Sequence, residues 1–110
     1  MKKILVAVLM VPTMASAEFM TGNDLYLKMQ STSAGERIQA LGYIQGVFDT
    51  GQSIRHCAPN NVGITAGQIR DLALNYLSSR PELRNLPADL LVTDAIRQVW
   101  PCANRNSKGA

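Results

Sequence analysis

The clearest helix signal in the chain lies in residues 65–81, whose sequence is TAGQIRDLALNYLSSRP. Thr65 and Gln68 have the spacing of a capping box, in which each side chain accepts a hydrogen bond from the other residue's backbone N–H. Apolar residues then recur every three or four positions, as on the buried side of a helix: Ile69, Leu72, Ala73, Tyr76 and Leu77. Pro81 ends the pattern, because the residue before a proline is disfavoured in helical geometry. The stretch predicts one amphipathic helix.

Two earlier helices are predicted from the same kind of signal. Thr21 and Asp24 have approximate capping-box spacing, and the helix that they open is expected to reach about Gln30. Ser33, with Glu36 three positions later, opens a second helix. We expect this second helix to end near a C-terminal glycine, Gly51, and to bury Ile38, Leu41, Ile44 or Gln45, Val47 and Phe48.

The segment after residue 80 predicts a connector and a fourth helix. Arg80 to Leu86 is a short polar connector that could hold one helical turn, and Pro87 suits the first turn of a helix. The expected buried residues of that helix are Ala88, Val92, Ala95, Ile96 and Val99. No segment shows strand alternation or a hairpin signal. The fold class is therefore predicted as all-α, a small bundle of about four helices around one core.

The first 17 residues have the pattern of a bacterial signal peptide. Lys2 and Lys3 precede the apolar run 4–11, and Ala15-Ser16-Ala17 fits a cleavage site. An uncleaved N-terminal anchor is the alternative, although the run is shorter than the roughly 20 residues that span a bilayer. We expect the mature chain to be periplasmic without a membrane span, with a helical domain at 18–102 and a disordered tail at 103–110.

The two cysteines, Cys57 and Cys102, both lie in the predicted mature chain. In an oxidising compartment the two cysteines of a small domain most simply form a disulfide. Closing a loop of about 46 residues is worth about 4 kcal/mol in the chain-entropy model. A metal site with His56 is the alternative, but it has too few ligands and no CxxC or HxxxH spacing. We expect no metal and no cofactor.

Charge and residue types exclude several functions. Four of the 11 basic residues lie outside 18–102, which leaves seven against eight acidic residues and no basic stripe for nucleic acid. His56 is the single histidine and is expected to lie on a surface loop. Asp89 and Asp94 are five residues apart and do not share a helical face, so paired acid–base chemistry is not favoured. We expect a binding protein with no catalytic residues, and not an enzyme.

Gly42 and Gly46 lie four residues apart inside the second predicted helix. Each glycine costs a helix interior about 1 kcal/mol relative to alanine, so a packing role is expected. Close packing in the core is our expectation, and a dimer contact is the alternative.

Several segments together resemble one known family. They are Gly42-Tyr43-Ile44-Gln45-Gly46-Val47-Phe48-Asp49, Cys57-Ala58-Pro59, Thr65-x-x-Gln68, Leu86-Pro87-Ala88 and Pro101-Cys102. The pattern over about 21–102 is similar to the Rap/Tai group of periplasmic immunity proteins, which protect bacteria against peptidoglycan amidase effectors of type VI secretion systems. The resemblance implies a small, secreted, disulfide-bonded helical protein, often dimeric, that plugs the substrate cleft of its amidase.

A cleft-binding inhibitor needs a polar loop held by a rigid scaffold. The first candidate is the connector, with the contact residues Arg80, Glu82, Arg84 and Asn85. The second is the loop beside Cys57, with His56, Asn60 and Asn61. For each of these side chains, simple solvent exposure is the alternative.

Three other functions are kept as alternatives. A small periplasmic acid-stress chaperone would share the helices and the single disulfide. An accessory or phage-derived envelope protein with an unknown ligand would share the same sequence features. A hydrolase that uses His56 as its acid or base is the least favoured of the three.

Overall fold

The computed structural model describes residues 19–51, 56–59 and 63–102. Its elements are helix α1 (Gly22–Met29), α2 (Ala34–Gly51), α3 (Ala66–Ser79), a single 3₁₀ turn (Pro81–Leu83) and α4 (Ala88–Val99). Over these described ranges there is no strand, and an isolated antiparallel bridge joins Thr21 to Pro87. The prediction of a small all-α fold with four helices is confirmed.

The predicted signal peptide at 1–17 and the predicted tail at 103–110 lie outside the described residues, as do Asn60 and Asn61. Within the described ranges, no helix is long and apolar enough to cross a membrane.

The helices begin at the predicted capping residues. Thr21 Oγ1 accepts the backbone N–H of Asp24 at 3.2 Å, and the Asp24 carboxylate accepts the N–H of Thr21 at 3.1 Å. Thr65 and Gln68 form the same reciprocal pair, at 3.1 and 2.7 Å. Ser33 caps α2 through a longer bond of 3.4 Å to a backbone N–H. Each pair satisfies N–H groups that a helix start would otherwise leave without a partner.

All four helices contribute to one core. Its largest fully buried side chains are Leu25 of α1, Ile44 of α2, Leu77 of α3, and Leu91, Val92 and Ile96 of α4. Burying one such side chain stabilises the fold by about 1.5–3 kcal/mol. Because α3 and α4 both pack in this core, both ends of the connector between them are held in place.

Two predicted core residues are on the surface. Ile38 is 68% exposed, because α2 faces the core with Ala40 and Ile44, and Ile38 is rotated about 120° from Ile44 at 3.6 residues per turn. Val99 is 46% exposed, since it lies in the last turn of α4 and borders an open groove beside Leu72. The predictions that these two residues are buried are wrong.

The glycines of α2 are also placed differently from our expectation. Gly42 and Gly46 are exposed, and a Cβ added at either position would meet no atom within 4 Å. The prediction that they pack in the core is therefore wrong.

The disulfide between Cys57 and Cys102 is present, with the two Cα atoms 4.9 Å apart. It joins the segment that follows α2 to the residue just beyond α4, so it closes 45 residues of sequence. The pairing predicted from the compartment is confirmed, and it leaves no free cysteine in the described residues.

Candidate partner-binding site

The segment from Arg80 to Pro87, here called the 80–87 loop, is attached to the start of α1 through the backbone. The bonds run from Gly22 N–H to Leu86 O (2.9 Å), from Asn23 N–H to Arg84 O (2.7 Å) and from Ala88 N–H to Met20 O (2.8 Å). The first two bonds use N–H groups of the first turn of α1, and the third uses the N–H of the first residue of α4. Such N–H groups lack partners inside their own helix. The loop is therefore fixed by a segment that lies about 60 residues earlier in the chain.

Gly22 makes this attachment sterically feasible. A Cβ at this position would overlap Leu91 Cδ1 and would lie 2.9 Å from the carbonyl oxygen of Arg84. Inside the loop, the 3₁₀ turn is closed by a bond from Leu83 N–H to Arg80 O of 3.1 Å. Both the ends and the middle of the loop therefore have a defined backbone.

Arg84 lies over an aromatic ring. Its guanidinium carbon is 4.1 Å from the ring centre of Tyr26, within the range of a cation–π interaction. The side chain is half-buried, and its Nε is shielded from water without an acceptor among the described residues. A hydrogen bond from Ser78 lowers the pKa of Tyr26, with further lowering by Gln30 and by the charge of Arg84.

Arg80 lies over the second tyrosine at the site, with its guanidinium carbon 5.4 Å from the ring centre of Tyr76. Burial raises the pKa of Tyr76, and the negative charges of Asp94 and Glu82 raise it further, while Arg80 acts in the opposite direction. Arg80 itself is exposed. The positive charge of Arg80 and the negative charges of Asp94 and Glu82 thus all act on the hydroxyl of Tyr76.

The structure brings four of the predicted contact residues together on this one loop. Arg80, Glu82 and Asn85 are exposed, and Arg84 is half-buried. The group presents two guanidinium cations, one carboxylate and one amide. Such groups can hold a protein surface through hydrogen bonds and ion pairs.

His56 has a structural role instead of an exposed position. It is only 3% exposed, and its Nε2 lies 2.8 Å from the carbonyl oxygen of Phe48. The backbone N–H of Ala58 donates to Nδ1 at 3.2 Å, so Nδ1 is unprotonated and Nε2 carries the proton. The ring also stacks on Phe48, with centroids 4.7 Å apart. The expectation of an exposed surface-loop histidine is wrong, because both ring nitrogens satisfy buried backbone groups.

Two residues that shape the site were not recognised in the sequence. Gly22 had a signal, because a glycine directly after the N-cap residue costs helix stability and needs a compensating reason. Tyr26 had no signal of its own, since its partner Arg84 lies 58 positions further on and only the tertiary structure brings the two together.

Comparison with known families adds to this geometry. The family description "Rap1a immunity proteins" matches residues 21–102. The chain belongs to the Rap1a immunity protein family. A comparison with curated proteins found no match.

Membership supports several of the sequence predictions in general form. It implies that this Rap1a-family protein binds a partner effector protein, and such immunity proteins are typically not enzymes. The family and the Cys57–Cys102 disulfide together indicate an extracytoplasmic protein.

Proposed function

We propose that this Rap1a-family protein is a periplasmic inhibitor of a peptidoglycan amidase effector, and that its 80–87 loop occupies the substrate cleft of the amidase. The observation that carries the proposal is the attachment of this polar loop to the first turn of α1 by two backbone hydrogen bonds, which Gly22 and Asn23 donate. A loop that is ordered before binding loses little conformational entropy in the complex, which favours affinity.

The side chains of the loop suit a protein partner. Arginine is enriched among the residues that dominate binding energy at interfaces, because its planar fork forms two hydrogen bonds to one carboxylate. Arg80 and Arg84 each lie over a tyrosine ring, which limits the orientations that the long side chains can adopt. Their contribution to binding would come at a reduced entropic cost.

The periplasmic location has separate support. Residues 1–17 have the charge and apolar pattern of a signal peptide, and the disulfide requires an oxidising compartment. The start of the proposed domain at residue 18 follows from the same cleavage site, and its end at residue 102 is the second cysteine of the disulfide. A homodimer is part of the proposal through the family resemblance, and the exposed face of α2 at Gly42 and Gly46 has room for a second chain. Light scattering coupled to size exclusion would give the oligomeric state.

The direct experiment uses the oxidised chain from Glu18 onward and periplasmic peptidoglycan amidases, beginning with any that is encoded beside its gene. Affinity is measured by calorimetry, and hydrolysis of purified peptidoglycan is followed with increasing amounts of the immunity protein. We expect a tight complex that stops hydrolysis in proportion to its stoichiometry. Absence of binding, or binding that leaves hydrolysis intact, would contradict occlusion of the cleft. The same protein with its Cys57–Cys102 disulfide reduced serves as a control, because it shows whether inhibition depends on the folded scaffold.

A further inference from the structure

We propose that Arg84 is the principal anchor of the 80–87 loop, that it binds an aspartate or glutamate carboxylate of the partner protein, and that Tyr26 is the residue that positions its guanidinium. This inference rests on the proposed function and adds the chemistry that the loop recognises.

The first argument is that both the backbone and the guanidinium of Arg84 are held in place by contacts with α1. Its backbone carbonyl accepts the N–H of Asn23 at 2.7 Å, so the origin of the side chain is fixed to α1. Its guanidinium carbon lies 4.1 Å from the ring centre of Tyr26, so the far end is held as well. A guanidinium that is restrained in this way loses less entropy when it binds a carboxylate.

The second argument is the difference in charge between the two arginines. Arg80 shares the surroundings of the Tyr76 hydroxyl with the carboxylates of Asp94 and Glu82. Among the residues that the structure describes, neither arginine forms an ion pair, but the charge that acts on the Tyr26 hydroxyl is that of Arg84, with no carboxylate beside it. The positive charge of Arg84 is therefore not balanced within this part of the chain, whereas the surroundings of Arg80 already contain negative charge.

The third argument is desolvation. The Nε of Arg84 is shielded from water and has no acceptor in the described part of the chain. A guanidinium that has already lost part of its hydration pays less desolvation on binding, and its attraction to a carboxylate is screened less than in bulk water. The terminal nitrogens are the atoms that can reach a partner, and their fork matches the two oxygens of a carboxylate.

The role of Tyr26 follows from its own contacts. Tyr26 is half-buried and packs against the hydrophobic core, which holds its ring in place on α1. The ring face then defines the plane in which the guanidinium of Arg84 can lie. Phenylalanine keeps the ring face over which Arg84 lies, so it should replace Tyr26 better than an aliphatic residue.

The test measures binding of the oxidised mature protein and its variants to the amidase by surface plasmon resonance. We expect Arg84→Gln to weaken binding by about 30-fold or more, mainly through faster dissociation, as for desolvated charge pairs at interfaces. Arg84→Lys keeps the charge without the fork and should fall between wild type and Arg84→Gln. The matched control is Arg97→Gln, which removes the same charge from the exposed last turn of α4 and should change affinity less than twofold.

A second pair of variants tests positioning. Tyr26→Leu removes the cation–π contact and should weaken binding about tenfold. Tyr26→Phe should restore most of the affinity because it keeps the ring. The melting temperature of every variant is measured in parallel. If Arg84→Gln fails to fold, Arg84→Lys and the Tyr26 pair still decide between an anchor and a structural residue. Equal affinity of Tyr26→Leu and wild type would overturn the positioning role.

The remaining outcomes separate this inference from the proposed function. No binding of the wild-type protein would overturn both. Tight wild-type binding with an unchanged affinity of Arg84→Gln would overturn the anchor alone. To identify the partner group, Arg84→Glu is combined with lysine substitutions of the acidic residues around the amidase cleft. Recovery of affinity with one of them supports a carboxylate, and recovery with none of them excludes it.

Discussion

Substituting Gly22 tests how the 80–87 loop is attached to α1. In Gly22→Ala, the new methyl group would overlap Leu91 Cδ1 and lie 2.9 Å from the carbonyl oxygen of Arg84. The Leu91 side chain is fully buried and the Arg84 oxygen belongs to the backbone, so neither atom can move aside easily. The loop would have to shift away from α1, and the bonds that Gly22 and Asn23 donate to it would lengthen.

The expected magnitude follows from these contacts. Overpacking of a fitted site costs about 1–3 kcal/mol. Weakening two backbone hydrogen bonds adds up to about 0.5–1.5 kcal/mol each. The better helix propensity of alanine offsets about 1 kcal/mol at most. The free energy of unfolding of Gly22→Ala should therefore fall by about 2–3 kcal/mol, which lowers the melting temperature of a domain of this size by roughly 10–20 °C.

Gly46→Ala is the matched control, because it makes the same chemical change in a helix where the added Cβ meets no atom within 4 Å. It should be neutral or stabilising by up to about 1 kcal/mol. Both variants are compared with wild type by circular dichroism, in thermal and urea unfolding of the oxidised protein. A melting temperature of Gly22→Ala equal to that of wild type would refute the close approach. A loss of stability in Gly46→Ala that depends on protein concentration would instead indicate that this face is covered in a dimer.

Three further perturbations test other parts of the fold. Reducing the Cys57–Cys102 disulfide should lower the free energy of unfolding by up to about 4 kcal/mol; an unchanged melting temperature under reducing conditions would contradict this stabilisation. His56→Leu removes the ring partner of two backbone groups and should cost about 2–4 kcal/mol in urea unfolding, whereas equal stability would exclude the internal role of the ring. The bond from the backbone N–H of Thr21 lowers the pKa of Asp24 below the ordinary value of 3.8, so its contribution to stability is complete above pH 3.8 and is lost as the pH falls through the lower folded pKa. The free energy of unfolding of Asp24→Asn should therefore fall less than that of wild type between pH 5 and pH 2. An equal fall in both proteins would contradict this contribution of Asp24.

The helix boundaries were predictable because their signals are local. Thr65 and Gln68 form their capping box within four residues, and Pro81 acts on the residue directly before it. The buried faces were less predictable, because α2 has apolar residues on more than one side. Ile38 and Ile44 are equally hydrophobic, and only the direction of the neighbouring helices decides that Ile44 is buried.

The candidate site was likewise predictable only in part. The composition of the 80–87 loop identified it as a polar connector, and the family resemblance made it the first choice for partner contact. What the loop rests on could not be read from sequence, because Gly22 and Tyr26 belong to α1 and reach the loop only through the folded core. His56 shows the opposite case, where a residue type associated with chemistry is used to satisfy the backbone of Phe48 and Ala58.

Binding and stability should be coupled at this site. Arg80 and Arg84 are the same residue type four positions apart, and their sequence neighbours do not distinguish them. They differ in what lies around them, since the charges of Asp94 and Glu82 act on the tyrosine beside Arg80, while Arg84 is half-buried and lies closer to its own ring. The position of Arg84 depends on α1 through both its backbone and its side chain. A substitution that shifts α1, such as Gly22→Ala, should therefore weaken partner binding although Gly22 itself is buried and cannot touch the partner.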